Sequence, residues 1–132
     1  MEKTRRNVQV SSIGDIQTLG RVTLKDELAL TGSEISVNEL PAGVSVPFVH
    51  SHKRNEEVYI ILKGKGQFYV DGDEFEVEDG NVLRVDPAAA RCLRADGRTP
   101  IRYICIQTEA KSLVQCTQDD GVMSETKPSW LK

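Results

Sequence analysis

The chain has no apolar run approaching the roughly 20 residues of a membrane span, so no transmembrane segment is expected. It also lacks any C-x-x-C pair. Cys92, Cys105 and Cys116 are odd in number and widely spaced, which argues against a zinc knuckle and a disulfide framework and predicts reduced thiols. Positive charge is not in excess: Lys and Arg number 17 against 20 Asp and Glu, a net charge of -3, so there is no surplus to neutralise the phosphates of a nucleic acid. The charged start MEKTRRNVQVSS has no apolar region behind it and does not read as a secretory signal, which makes a cytoplasmic location the default expectation.

What is present suits one ordinary soluble domain of 132 residues, 39% hydrophobic and 28% charged. Residues 1–20 show no clear period, although IGDIQTLG predicts a short edge strand or an arm laid on a partner subunit. VTLKDELAL and SEISVNELPAG read as strand material around Thr31-Gly32. Propensity alone would favour a helix over Leu24 to Leu30, but the surrounding rhythm of short strands outweighs it. A turn is expected at Pro41-Ala42-Gly43.

The pattern then becomes regular: VPFVHSH, VYIILKG, GQFYV, DEFEV, VLRV, RCLRA and IRYICIQ. Asp71-Gly72 between two alternating runs is a strong hairpin signal, and several short strands at this spacing predict an all-β sandwich or barrel. Boundaries follow: 1–20 as an N-terminal arm or edge strand, 21–108 as the barrel, 109–132 as a polar tail.

Both histidines lie in one stretch, GVSVPFVHSHKRNEEVYIILKG. On a strand, His50 and His52 would leave the same face, because side chains alternate with a period of two. Glu57 opens the next apolar run and can be carried back toward them. Two imidazoles and one carboxylate form a facial triad suited to Fe, with Mn, Ni, Zn or Co as competitors. Tyr59 shares parity with Glu57 and is a candidate to line the same cavity. Gln107 is a weaker candidate, and Cys105, mid-strand in IRYICIQ, reads as a buried inert thiol rather than a nucleophile.

Gly43, His50, His52, Glu57 and Gly64 resemble the first motif of the cupin family, with six residues after Gly43 where five is usual. The resemblance runs from VTL to Gln107. It implies a double-stranded β-helix, or jelly-roll, barrel, a divalent metal ion held by His50, His52 and Glu57, and a homodimer. In the family's second motif the fourth ligand is a histidine. The matching region, GNVLRVDPAAARCLRAD, aligns at Gly80, Pro87, Ala89 and Arg91, which puts Arg91 in that histidine's place.

Guanidinium has no lone pair to donate, so two readings stay open. In one, the triad binds metal alone, Glu57 is also the candidate catalytic base, and Arg91 with Tyr59 holds an anionic substrate. In the other, Arg91 pairs with Glu57 in a metal-free pocket. The corresponding functions are a metal-dependent enzyme of the dioxygenase or isomerase kind acting on a small oxygenated molecule, and a non-catalytic small-molecule binder or sensor.

Overall fold

In the computed structural model, residues 3–5 and 7–131 are described. Strands are β1 (Lys3–Arg5), β2 (Val8–Val10), β3 (Arg21–Thr23), β4 (Glu34–Leu40), β5 (Asn55–Val70), β6 (Asp73–Glu78), β7 (Val82–Val85), β8 (Arg91–Ala95) and β9 (Ile101–Glu109). The last seven form one sheet system in the order β3-β4-β9-β5-β6, with β7 and β8 also paired to β5. Every pairing is antiparallel. The expected all-β barrel is found.

β5 organises the barrel. Its first half pairs with β9 and β7, its second half with β6 and β8, so one long strand serves both walls. VYIILKG and GQFYV, expected as separate strands, are therefore continuous. A register shift between Ile61 and Lys63 and a positive φ of +104° at Gly64 bend the strand without ending it. A Cβ on Gly64 would be built into the carbonyl oxygen of Pro100, and one on Gly66 into that of Arg94. Both neighbours are backbone and have little room to yield. Below the bend lies the apolar core, in which Ile61, Phe68 and Ile101 are at most 1% exposed.

The Asp71-Gly72 hairpin is as predicted. Val70 pairs with Asp73, and the two loop residues have φ values of 47° and 94°, the mirror-image turn that matches strand twist. Gly43, at φ 77°, closes the expected turn after Pro41.

Three local readings are corrected. VTLKDELAL is not one strand: β3 stops at Thr23 and is followed by a single helical turn, Lys25–Leu28, ended by Ala29 in the left-handed region, so the local helix preference wins where no partner strand competes. IGDIQTLG contains a 3-10 turn, Ile16–Thr18, in place of an edge strand, because the Asp15 side chain accepts the Gln17 N–H. VPFVHSH is irregular and touches β8 only at isolated bridges, Ser45 to Arg94 and His50 to Arg91. Pro47 has no N–H for the ladder, and four steps from Val46 to His50 face two steps from Leu93 to Arg91.

The N-terminal arm or edge strand expected over 1–20 includes residues 1, 2 and 6, outside the described residues, and the polar tail expected over 109–132 includes residue 132, likewise outside them. Residues 110–131 carry no strand or helix, and Leu113, Val122 and Trp130 are exposed. Among the described residues no helix is long and apolar enough to cross a membrane.

Candidate metal centre

Antiparallel register builds one cavity wall as a lattice of three rungs. Glu34, Gln107 and Glu57 stand opposite one another across β4, β9 and β5. Two residues along come Ser36, Cys105 and Tyr59, then Asn38, Tyr103 and Ile61, with Arg21 of β3 opposite Asn38. Equal parity puts these side chains on one face. Along this face and under the 44–52 segment lies a cavity of about 600 Å³.

The irregular segment supplies the facing ligands. Backbone bonds hold His50 to Arg91 in both directions (3.2 and 2.9 Å), and His52 N–H to the Pro87 carbonyl (2.8 Å). The two imidazoles meet at 5.1 Å between centroids and 86° between planes. So the predicted convergence occurs, through anchored loop backbone and not through strand alternation. One ligand atom each from His50, His52 and Glu57 lies within 4.8 Å of the others.

Two observations test whether these residues fit a metal ion. First, His50 Nδ1 is buried and has no hydrogen-bond partner among the described residues. A buried polar atom in that condition costs about 1–3 kcal/mol, and burial also lowers the His50 pKa, which keeps the ring neutral with a lone pair open to a metal. Second, His52 Nε2 and Glu57 Oε2 are 3.2 Å apart. Two ligands each about 2.1 Å from one ion at a right angle would be separated by about 3.0 Å, so this pair already has the spacing of one edge of a coordination shell. The residues fit.

Glu57 divides its two oxygens. Oε1 accepts the Tyr59 hydroxyl (2.8 Å) and Arg91 Nη1 (2.8 Å), while Oε2 faces His52. Burial alone would raise the Glu57 pKa, but the Tyr59 hydrogen bond and the Arg91 charge outweigh it and hold the carboxyl below its usual range. Glu57 is thus a firmly ionised ligand and a weak base.

Arg91 is fully buried, at 0% exposure. Besides Glu57 it donates from Nε to the Ala89 carbonyl (2.9 Å) and from Nη2 to those of Asp86 (2.7 Å) and Pro87 (3.2 Å). Its guanidinium is spent within the protein, fixing both the carboxylate and the 86–90 turn. Tyr59 lines the cavity, but its hydroxyl is also spent on Glu57.

Gln107 lines the cavity and accepts from Asn55 Nδ2 (2.7 Å). Cys105 sits half-buried in the same wall and not fully buried as expected, its thiol pushed up to about 12 by burial and by the nearby Glu57 charge, which keeps it protonated and inert. Sequence reasoning missed Arg21, Ser36, Asn38 and Tyr103, all in the cavity lining. Only the register of β3 against β4 against β9 reveals them, and no motif encodes it.

A family model described as a cupin domain matches residues 36–107. The structure of a cupin protein from Bacteroides fragilis superposes with a TM-score of 0.83 at 49% identity, covering 89% of this chain and 98% of that one. An oxalate-binding protein from Thermotoga maritima is 29% identical over 68 residues, 52% of this chain and 55% of its own length. An uncharacterized protein from Methanocaldococcus jannaschii is 32% identical over 66 residues, 50% of this chain and 52% of its own. The chain spans about half the length of these curated relatives.

Proposed function

Because the chain belongs to the cupin family, we propose that it holds one divalent ion through His50, His52 and Glu57 and uses the remaining positions to bind a small oxygenated anion. The observation that carries this reading is the division of labour at Glu57: Arg91 and Tyr59 occupy one oxygen and leave the other beside His52 for a metal. Charge supports the anion. Glu57 and Arg91 cancel, and imidazoles ligate a metal in their neutral form, so a bound divalent ion leaves the site with two positive charges in the cavity, where a negative ligand is strongly favoured.

When bound, the ion supplies Lewis acidity toward substrate oxygens, which suits dioxygenase-like or isomerase chemistry. Within that chemistry the protein's own residues have definite tasks. Arg91 keeps Glu57 ionised and aimed, Tyr59 fixes its rotamer, and the apolar rim at Val46 and Phe48 limits water. Glu57, held well ionised, serves here as ligand in preference to base. The oxalate-binding relative supports a small carboxylate as ligand class.

The 2.8 Å Glu57–Arg91 ion pair also favours the second reading, a metal-free organic-anion binder. One experiment separates them. Calorimetric titration of oxalate into cobalt-loaded protein should show binding close to one per chain, at least ten-fold tighter than into metal-free protein. Equal affinity in the two forms would reject the metal reading and leave the binder.

A homodimer is part of the proposal. β3 and β6 end the sheet path as open edges, and Phe48, Val49 and Val82 are more than half exposed, at 57%, 55% and 69%. Light scattering after size exclusion should report about twice the 14.7 kDa chain. A monomer at every concentration would oppose it. Free Cys92, Cys105 and Cys116 support a reducing, cytoplasmic setting.

A further inference from the structure

Arg91 and Arg21 both line the cavity, but they are in opposite states. Arg91 is buried and saturated with protein acceptors, so it has little left to offer a ligand. Arg21 enters from β3, is exposed, and among the described residues its side chain makes a single hydrogen bond, Nη1 to Asn38 Oδ1 at 2.9 Å. No carboxylate among the described residues lies within ion-pair distance of it.

The acidic residues that share the lining are already engaged. Glu39 is held by Arg102 at 3.1 and 2.7 Å, and Glu34 accepts the Lys25 backbone N–H at 2.9 Å. Arg21 is also not a loose surface side chain. Asn38, only 3% exposed, clamps it, and Asn38 in turn donates to Ser36 Oγ at 2.9 Å, also 3% exposed. A buried amide that spends its carbonyl on one guanidinium nitrogen and its amino group on a hydroxyl is a positioning device. Arg21 lines the same cavity as His50, His52 and Glu57.

We infer that the cavity takes a small dicarboxylate, with one carboxylate at the His50, His52 and Glu57 centre and the other held by the Arg21 guanidinium. This rests on the metal reading above for its first contact and on Arg21 alone for its second. A guanidinium with most of its donors free offers a planar fork to carboxylate oxygens. Glu57 and Arg21 stand at different rungs of the wall, so a molecule with an anionic group at each end can make both contacts at once.

The test is a length series, oxalate, malonate, succinate and glutarate, with acetate as the single-ended control. Each is titrated by calorimetry into cobalt-loaded wild type, Arg21→Gln and Arg21→Lys. Wild type should prefer one dicarboxylate over acetate, and Arg21→Gln should weaken that ligand at least ten-fold while leaving acetate and cobalt affinity within about two-fold. Arg21→Lys should recover part of the loss, since it keeps the charge but not the fork.

An Arg21→Gln protein that binds the whole series as wild type does would overturn the inference. So would a wild type that binds no dicarboxylate in either the cobalt-loaded or metal-free form. If wild type takes up no cobalt, the metal reading fails separately, and the same series on metal-free protein still decides Arg21: a ten-fold loss in Arg21→Gln upholds the guanidinium contact, and no loss removes it.

Discussion

Arg91→Met should lower the unfolding free energy of the metal-free protein by about 3–5 kcal/mol, because it leaves an ionised carboxylate buried without its cation. The magnitude follows from saturation. At one stroke the change strips the Arg91 partner from Glu57 Oε1 and orphans the carbonyls of Asp86, Pro87 and Ala89, although methionine fills much of the same volume. In a domain of this size the melting midpoint should fall by roughly 10–20 °C.

The pH dependence has a definite sign. The folded Glu57 pKa lies below its ordinary value, so its stabilising contribution is complete above that value and is lost as pH falls through the folded one. The deficit of Arg91→Met relative to wild type should therefore be largest at neutral pH and shrink in acid, where a protonated Glu57 needs no cation. Denaturant melts at several pH values check this, and a loss below about 1 kcal/mol at pH 7 would show that the ion pair is not holding the site. Arg91→His complements it. β8 starts at Arg91, directly opposite His50, so the new imidazole should point at the centre, replace a repelling charge with a nitrogen ligand and tighten zinc or nickel at least ten-fold. Equal or weaker affinity would mean that position 91 is not the fourth-ligand position.

His52→Ala should reduce metal affinity by a factor of at least 100, to no detectable occupancy after desalting, while leaving the fold intact. An incomplete shell of three protein ligands has no redundancy, and His52 is the one whose nitrogen is already at coordination-edge distance from Glu57. Its side chain lines the existing cavity and is partly exposed, at 26%, so truncation enlarges a space already open and should cost about 1–2 kcal/mol of stability. Mass-spectrometric metal content and a thermal melt, made on the same sample, separate the two effects. Full occupancy in His52→Ala would place the metal elsewhere.

Much of this was legible in the sequence because it is written in local pattern. Alternating apolar runs and Asp71-Gly72 specify strands and a hairpin, and His50, His52 and Glu57 carry a spacing that the structure brings to one place. Gly64 is required because a side chain there would collide with the Pro100 carbonyl. What failed locally failed for identifiable reasons. The missing N–H of Pro47 breaks the strand expected to carry the histidines, and a one-turn helix after Thr23 forms where no partner strand competes. Arg91 stands in the sequence as a displaced ligand, but its four acceptors, Glu57 Oε1 on β5 and three carbonyls of the 86–89 turn, come together around it only in the fold. Arg21 was invisible because its place depends on the register of β3 on β4, which has no signature of its own.

The central claim is that His50, His52 and Glu57 form a metal centre with Arg91 in support. It is tested most directly by the metal content of tag-free wild-type protein after reconstitution, in separate samples, with Fe(II), Mn(II), Co(II), Ni(II) and Zn(II), followed by desalting. The account predicts retention near one ion per chain for at least one of the five, and its loss in Glu57→Gln. Wild-type protein that retains none of the five would contradict it.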